Sequence, residues 1–184
     1  AASLSVGTID KAQSANALLS IDVADAWAEG YEGAGYAVAV IDGGFNTSHP
    51  MFVSRTVGAA CFSSDFDTTT INQCPSGQTP QIGAGAASNC PVGSTRCDHG
   101  THVASIAVGN DGVNFGVARA AKLVPIDVFS RVTDPEVCSP DPAPCELTDS
   151  QAVLSALNYA SQHCGREHKC RRVESRRVLC RRSA

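Results

Sequence analysis

Hydrophobic and polar positions along the chain form regular blocks broken by two irregular stretches. Tyr36-Ala-Val-Ala-Val-Ile41 is an unbroken apolar run of strand length. Without alternation, it suits a strand buried on both faces of a parallel sheet. It runs straight into Asp42-Gly43-Gly44, where glycines permit a sharp exit. Before it, residues 14–29 read as a loop and then a short helix ending near Gly30, and Tyr31 to Gly35 as a glycine-marked turn. Helical pattern returns over Gly100-Thr-His-Val-Ala-Ser-Ile-Ala107, followed by the turn signal Gly109-Asn-Asp-Gly112. A second apolar strand falls within Val117–Phe129, at Lys122–Phe129. Thr148-Asp149 offers an N-cap for a helix from about Ser150 to Gln162, with Val153, Leu154, Leu157 and Ala160 on its apolar face.

The resulting order is helix, strand, helix, strand, helix. That alternation predicts an α/β fold with a doubly wound, mostly parallel sheet, incomplete at the C-terminal end. In such sheets sites gather at the carboxyl ends of strands, where Asp42 sits. The interruptions read as insertions. One, at about 60–97, is rich in Ser, Thr, Gly and Asn and holds four cysteines; the other, 133–147, holds four prolines and two cysteines. There is no internal repeat.

Composition adds limits. The chain has 184 residues, 43% hydrophobic and 17% charged, ordinary for one soluble domain with a sizeable core. No apolar run approaches the roughly 18 residues of a membrane span, so no membrane partner is expected. The chain opens on Ala1 without a signal-peptide pattern, so an internal fragment or processed form is expected, with any export signal upstream. Nine cysteines are many for this size. None of the six at Cys61, Cys74, Cys90, Cys97, Cys138 and Cys145 makes a C-x-x-C pair, which argues against zinc. Their spacing suits loop-stapling disulfides in an oxidising, secreted or extracytoplasmic setting. Cys138–Cys145 is the simplest pair; connectivity among the first four stays open.

Charge divides the chain. Residues 1–163 hold 6 Lys/Arg and 16 Asp/Glu, a balance of −10, whereas residues 164–184 hold 8 Lys/Arg and 2 Glu, a balance of +6. The tail also carries Cys164, Cys170 and Cys180.

Two motifs can carry chemistry: Ala37-Val-Ala-Val-Ile-Asp42-Gly-Gly44, an acid delivered by a buried strand, and Asp98-His99-Gly100-Thr101-His102-Val103-Ala104, a histidine opening a helix. Both resemble the signature regions of the subtilisin-like serine proteases, or subtilases, whose chain order is Asp, His, Ser. Ile21–Trp27, Gly116-Val-Ala-Arg-Ala-Ala-Lys-Leu123 and the helix from Asp149 to Gln162 are similar to further parts of that family, extending the likeness over about residues 14–162. The resemblance implies that His99 is the general base and acid, and that Asp42 holds its imidazole in the right tautomer and stabilises its charged form. A serine hydroxyl needs such a base, and a histidine titrates in the right range to be one. Gly100 is expected to keep the approach clear for substrate backbone. Gly43 departs from the family, which has a hydroxyl residue there, at the cost of a hydrogen bond to the carboxylate.

Plainer readings exist for each residue. Asp42 also suits a strand-end turn. His99 and His102 stand at i, i+3, a metal-ligand spacing, but no third ligand is evident, and His102 reads as a packed structural residue. His49 before Pro50 reads as loop, and Asp98 and Asp111 as solvated. The chemistry requires no cofactor. Structural calcium fits the family, but no site is assignable.

The nucleophile is the main departure. The family's serine lies in a Gly-Thr-Ser-x-Ala motif, whereas after His99 no serine here follows a glycine. Loss of the serine alone costs about 2 × 10⁶ in kcat, so the chain as written is expected to be inactive. Where a subtilase would enter a buried strand, this chain continues His163-Cys-Gly-Arg-Glu-His-Lys-Cys-Arg-Arg172, with neither helical nor strand period. Read one nucleotide later, the codons allowed for those residues permit Thr-Val-Val-Val-Asn-Ile-Ser-Val-Gly-Gly, close to the expected strand. Residues 1–163 are therefore expected to be a partial peptidase domain, and 164–184 a basic, Arg/Cys-rich product of a frameshift. A sheet cut there would leave an edge and an apolar face open, so the chain is expected to be poorly soluble or partly folded.

Three functions compete. The first is an endopeptidase acting on proteins or peptides, with no nucleic-acid partner and an oligomeric state left open. The second is a catalytically dead subtilase-like binding protein. The third is a cysteine-stapled secreted module whose basic tail contacts anions.

Overall fold

A computed structural model describes residues 18–88, 98–164, 168–173 and 177–182. In chain order its elements are α1 (Val23–Ala28), β1 (Tyr36–Asp42), a 3₁₀ turn (Pro50–Phe52), β2 (Ala60–Cys61), β3 (Thr70–Ile71), β4 (Gln81–Ile82), α2 (His99–Val108), β5 (Lys122–Asp127), β6 (Ser130–Val132), α3 (Pro135–Cys138), β7 (Cys145–Leu147), α4 (Ser150–Cys164), β8 (His168–Val173) and β9 (Arg177–Arg182). The two long apolar runs of the sequence are the two long parallel strands. β1 and β5 pair from Ala37↔Lys122 to Asp42↔Asp127, which brings their carboxyl ends level.

The main sheet runs β4-β2-β5-β1-β9-β8. It is mixed where a mostly parallel sheet was expected: only β2–β5 and β5–β1 are parallel, and both flanks are antiparallel. Alternation along β1 sends side chains to opposite faces. Val38 and Val40 join Leu123, Phe45, Met51, Phe52, Ala104 and Val108 beneath α2. Ala37 and Ala39 join Ala60, Val124, Ile126, Ala152, Ala156 and Tyr159 beneath α4. Helices thus cover both faces.

The α4 face agrees with the sequence reading at Val153 and Ala160, which pack on the core, and differs at the two leucines. Asp149 caps the helix as expected, its Oδ1 accepting the amides of Gln151 at 2.7 Å and Ala152 at 2.9 Å. The side that meets the sheet, however, carries Ala152, Ala156, Tyr159 and Ala160, while Leu154 and Leu157 are 59% and 42% exposed. Small residues let the helix seat closely on the alanines of β1 and β2, which the larger leucines would prevent.

The irregular stretches are also more integrated than expected. Ala60–Cys61 belongs to the main sheet, pairing in parallel with Ile126 and Asp127. Two residues are too few to show a strand period. The stretches around 70 and 130–147 meet in a second sheet, β3-β6-β7, through Thr70↔Val132 and Ser130↔Leu147. Disulfides join Cys61 to Cys74, a pairing the sequence left open, and Cys138 to Cys145, as the loop spacing suggests. Cys90 and Cys97 lie outside the described residues.

The tail departs most. Its sequence lacks a strand period, yet β9 pairs antiparallel with β1 from Tyr36↔Arg181 to Ala39↔Val178, and β8 pairs with β9. The β1 edge that was expected to stay open is paired over those positions. An open edge offers a row of main-chain donors and acceptors, which an extended segment satisfies whatever its side-chain period. Among the described residues no helix is long and apolar enough to cross a membrane.

Candidate active site

The carboxyl ends of β1 and β5 frame the site, and α2 enters it amino end first. Asp42 is the last residue of β1 and His99 the first of α2. Their side chains meet, with His99 Nδ1 2.7 Å from Asp42 Oδ1. The same carboxylate oxygen accepts the Gly43 amide at 2.7 Å. One oxygen is thus held from two directions, by backbone and by imidazole. Exposure is divided: the His99 side chain is 71% exposed and that of Asp42 13%. The carboxylate is sheltered and the imidazole is presented outward.

The helix start explains how two residues 57 apart stay in register. Asp98 gives α2 no side-chain cap. Instead the Gly100 amide donates to the Gly43 carbonyl at 2.9 Å and the Thr101 amide to the Gly44 carbonyl at 3.1 Å. Free amides at a helix start need partners, and the strand exit supplies them. Close approach requires Gly100. A Cβ there would lie 2.8 Å from the Gly43 oxygen, 2.9 Å from the Gly44 oxygen and 2.9 Å from Phe45 Cζ. This corrects the expectation that Gly100 clears a path for substrate: it is buried, and its missing side chain serves helix docking.

Gly43 has a similar steric reason. A Cβ at that position would meet Phe129 Cβ and Cδ2 at 3.0 Å. Phe129 is held in turn by its amide, which donates to Asp127 Oδ1 at 3.0 Å, while the Val128 amide donates to the Asp42 carbonyl at 3.1 Å. The Phe129 ring thus lies directly against Gly43. Sequence reading missed Phe129, since it lies in neither motif and only strand register brings it here.

The other candidates fall elsewhere. His102 is exposed, not packed, because it turns away from the buried stripe Thr101, Ala104, Ser105 and Val108. His49 precedes the 3₁₀ turn, its Nδ1 accepting the Met51 amide at 3.3 Å. The Asp111 carboxylate is turned onto its own loop, accepting the amides of Val113 at 2.9 Å and Asn114 at 2.6 Å and the Asn114 side chain at 2.9 Å. Those bonds, led by Asn114, hold its carboxyl below the ordinary range. Among the described residues, no group of three or more His, Cys, Asp or Glu is placed to hold a metal.

Chemically, the pair can keep a proton on Nδ1 through a charge-assisted hydrogen bond, leaving Nε2 as a base. Among the described residues no hydroxyl bonds to His99.

Comparison with known proteins bears on the whole frame. The model of the subtilase family matches residues 33–137, which take in β1, Asp42, α2, His99 and β5. Bacillopeptidase F of Bacillus subtilis (strain 168) is 34% identical over 113 residues, which is 60% of this chain and 7% of that relative. The chain thus matches a small part of the length of this curated relative.

Proposed function

The chain belongs to the subtilase family, and on that premise we propose that it carries the aspartate and histidine of a secreted subtilisin-like serine endopeptidase. The observation that carries this reading is the 2.7 Å contact between Asp42 and His99 at the carboxyl end of a parallel strand. Asp42 orients the imidazole and stabilises its charged form. His99 Nε2 takes the proton from the serine hydroxyl and then passes it to the leaving amine. Gly43 and Gly100 act by size, one admitting Phe129 and the other admitting the helix start. Helices on both faces support the doubly wound arrangement, and the disulfides support an oxidising destination. Proteins or peptides are the substrates.

The serine and its oxyanion partner belong, in this reading, to sequence encoded in another frame beyond about His163. The body of the domain ends there, and 164–184 is the product of the slip. The chain of 184 residues is then inactive. Resequencing the coding DNA and assaying the frame-restored protein on casein tests this. Expected are a frame change near residue 163, proteolysis, a loss of about 10⁴-fold in kcat for Asp42→Asn and of about 10⁶-fold for His99→Ala. A single intact frame ending at Ala184 overturns the frameshift. Without peptidase activity it favours the second reading, a binding protein that keeps the family's frame.

A further inference from the structure

We infer that Thr101 is a positioning residue for the Asp42–His99 pair: its buried hydroxyl joins the start of α2 to the chain leaving β1. The inference rests on reading that pair as the orienting and basic members of a triad. A threonine inside a helix can turn its hydroxyl back onto a carbonyl three or four residues earlier. Ser105, one turn on, does so, donating to the His102 carbonyl at 2.7 Å. Thr101 does not. Its Oγ1 accepts the Asn46 amide at 2.8 Å and donates to the Gly44 carbonyl at 3.3 Å. Both partners lie just past Asp42, and both capacities of the hydroxyl are used.

The location gives these bonds their consequence. Thr101 stands two residues after His99, and its partners two and four residues after Asp42. Its own amide donates to the same Gly44 carbonyl at 3.1 Å. Asn46 is otherwise exposed, so the hydroxyl is what ties its amide to the helix. A slide of α2 by about 1 Å along the strand exit is enough to spoil a reacting geometry. The Gly100 and Thr101 amides set the depth of the helix start, and the Thr101 hydroxyl, bonding on both sides of Phe45, opposes sliding and rotation. Among the described residues the His99 side chain has one hydrogen-bond partner, Asp42, so its aim depends on this join.

The test reads the imidazole directly, in the 184-residue chain, without any peptidase assay. Ring ¹⁵N shifts of His99 at about pH 9, where a free imidazole is neutral, report which nitrogen holds the proton. The unmodified chain is expected to favour Nδ1–H. In Thr101→Val and Thr101→Ala the ratio of Nδ1–H to Nε2–H falls by about tenfold, while Thr101→Ser retains it. Asp42→Asn is the control that removes the preference. In the unmodified protein the Asn46 amide exchanges at least about tenfold more slowly than an unstructured amide, a result that needs no variant to fold. An unchanged ratio in the valine and alanine variants, a serine variant behaving like valine, or an unprotected Asn46 amide overturns the inference. Absence of proteolysis in the frame-restored protein would count against the endopeptidase and leave this result standing.

Discussion

The two faces of the main sheet are packed by different means. Under α2 the filling is bulky: Phe45, Met51, Phe52, Leu123 and Val108 are nearly or fully buried. Under α4 the helix offers small residues, Ala152, Ala156 and Ala160, to Ala37, Ala39 and Ala60, with Val124, Ile126 and Val128 beside them and Tyr159 at one end donating to the Ala59 carbonyl at 3.3 Å. The α2 side holds its helix through hydrogen bonds at the helix start and through Phe45, Met51, Phe52 and Leu123 packed in one cluster with Ala104 and Val108. The α4 side holds its helix through close approach, with the Asp149 cap and Thr148, whose hydroxyl donates to the Val128 carbonyl at 2.7 Å. The site lies where the α2 side ends, so the face with the larger buried side chains, Phe45, Met51 and Phe52, is the one that aims the imidazole.

Breaking the bulky face should cost most. Phe52→Ala, at a side chain 1% exposed, is expected to lose about 3–5 kcal/mol in denaturant unfolding. A loss under about 1 kcal/mol would mean that this face is not closely packed. The small face should fail in the opposite way. Ala156→Leu, at a fully buried alanine, is expected to cost about 1–3 kcal/mol by overpacking. A neutral result would show α4 to be loosely seated and the contrast between faces to be false.

The outer side of α4 sharpens the comparison. Leu154→Glu with Leu157→Gln should change stability by no more than about 0.5 kcal/mol, because both leucines face outward. A large loss would put them in the core, as the helical pattern alone suggested. The smallest effect belongs to the rim of the α2 side. There Arg119 pairs with Glu32 and stands 4.2 Å from the Trp27 ring centroid, while Trp27 Nε1 donates to the Val117 carbonyl at 2.9 Å. The hydrogen bond from Arg119 holds the Glu32 carboxyl below its ordinary value. A depressed folded-state pKa stabilises above the unfolded carboxylate range and ceases to do so as pH falls through the folded value. Glu32→Gln should therefore lower Tm slightly at pH 7, and the difference should vanish in acid. A difference that persists at about pH 2 would assign the effect to packing.

Much of this was legible along the chain, for stated reasons. An apolar run with no alternation has few uses other than a strand covered on both faces, and β1 and β5 are such strands. The Asp149 cap and the Cys138–Cys145 loop are local, so short-range pattern reveals them. The aspartate and histidine were marked by their motifs, although nothing in the sequence places 57 residues' separation at 2.7 Å. What escaped was nonlocal or too short to have a period: the two-residue β2, the Cys61–Cys74 pairing, the sheet joining both irregular stretches, and Phe129 against Gly43.

The two glycines of the site mark the division most plainly. The sequence by itself determined that Gly43 and Gly100 follow the acid and the base, and that each element beside them is of the expected type. Tertiary structure alone decided what a side chain there would meet: the Phe129 side chain, tightly at 3.0 Å, in the case of Gly43, and the Gly43 and Gly44 carbonyls with Phe45, too close to admit a Cβ, in the case of Gly100. The tail divides likewise. Its composition set it apart from the body, but its pairing with β1 was decided by the free main-chain groups of a strand edge, which no side-chain pattern records.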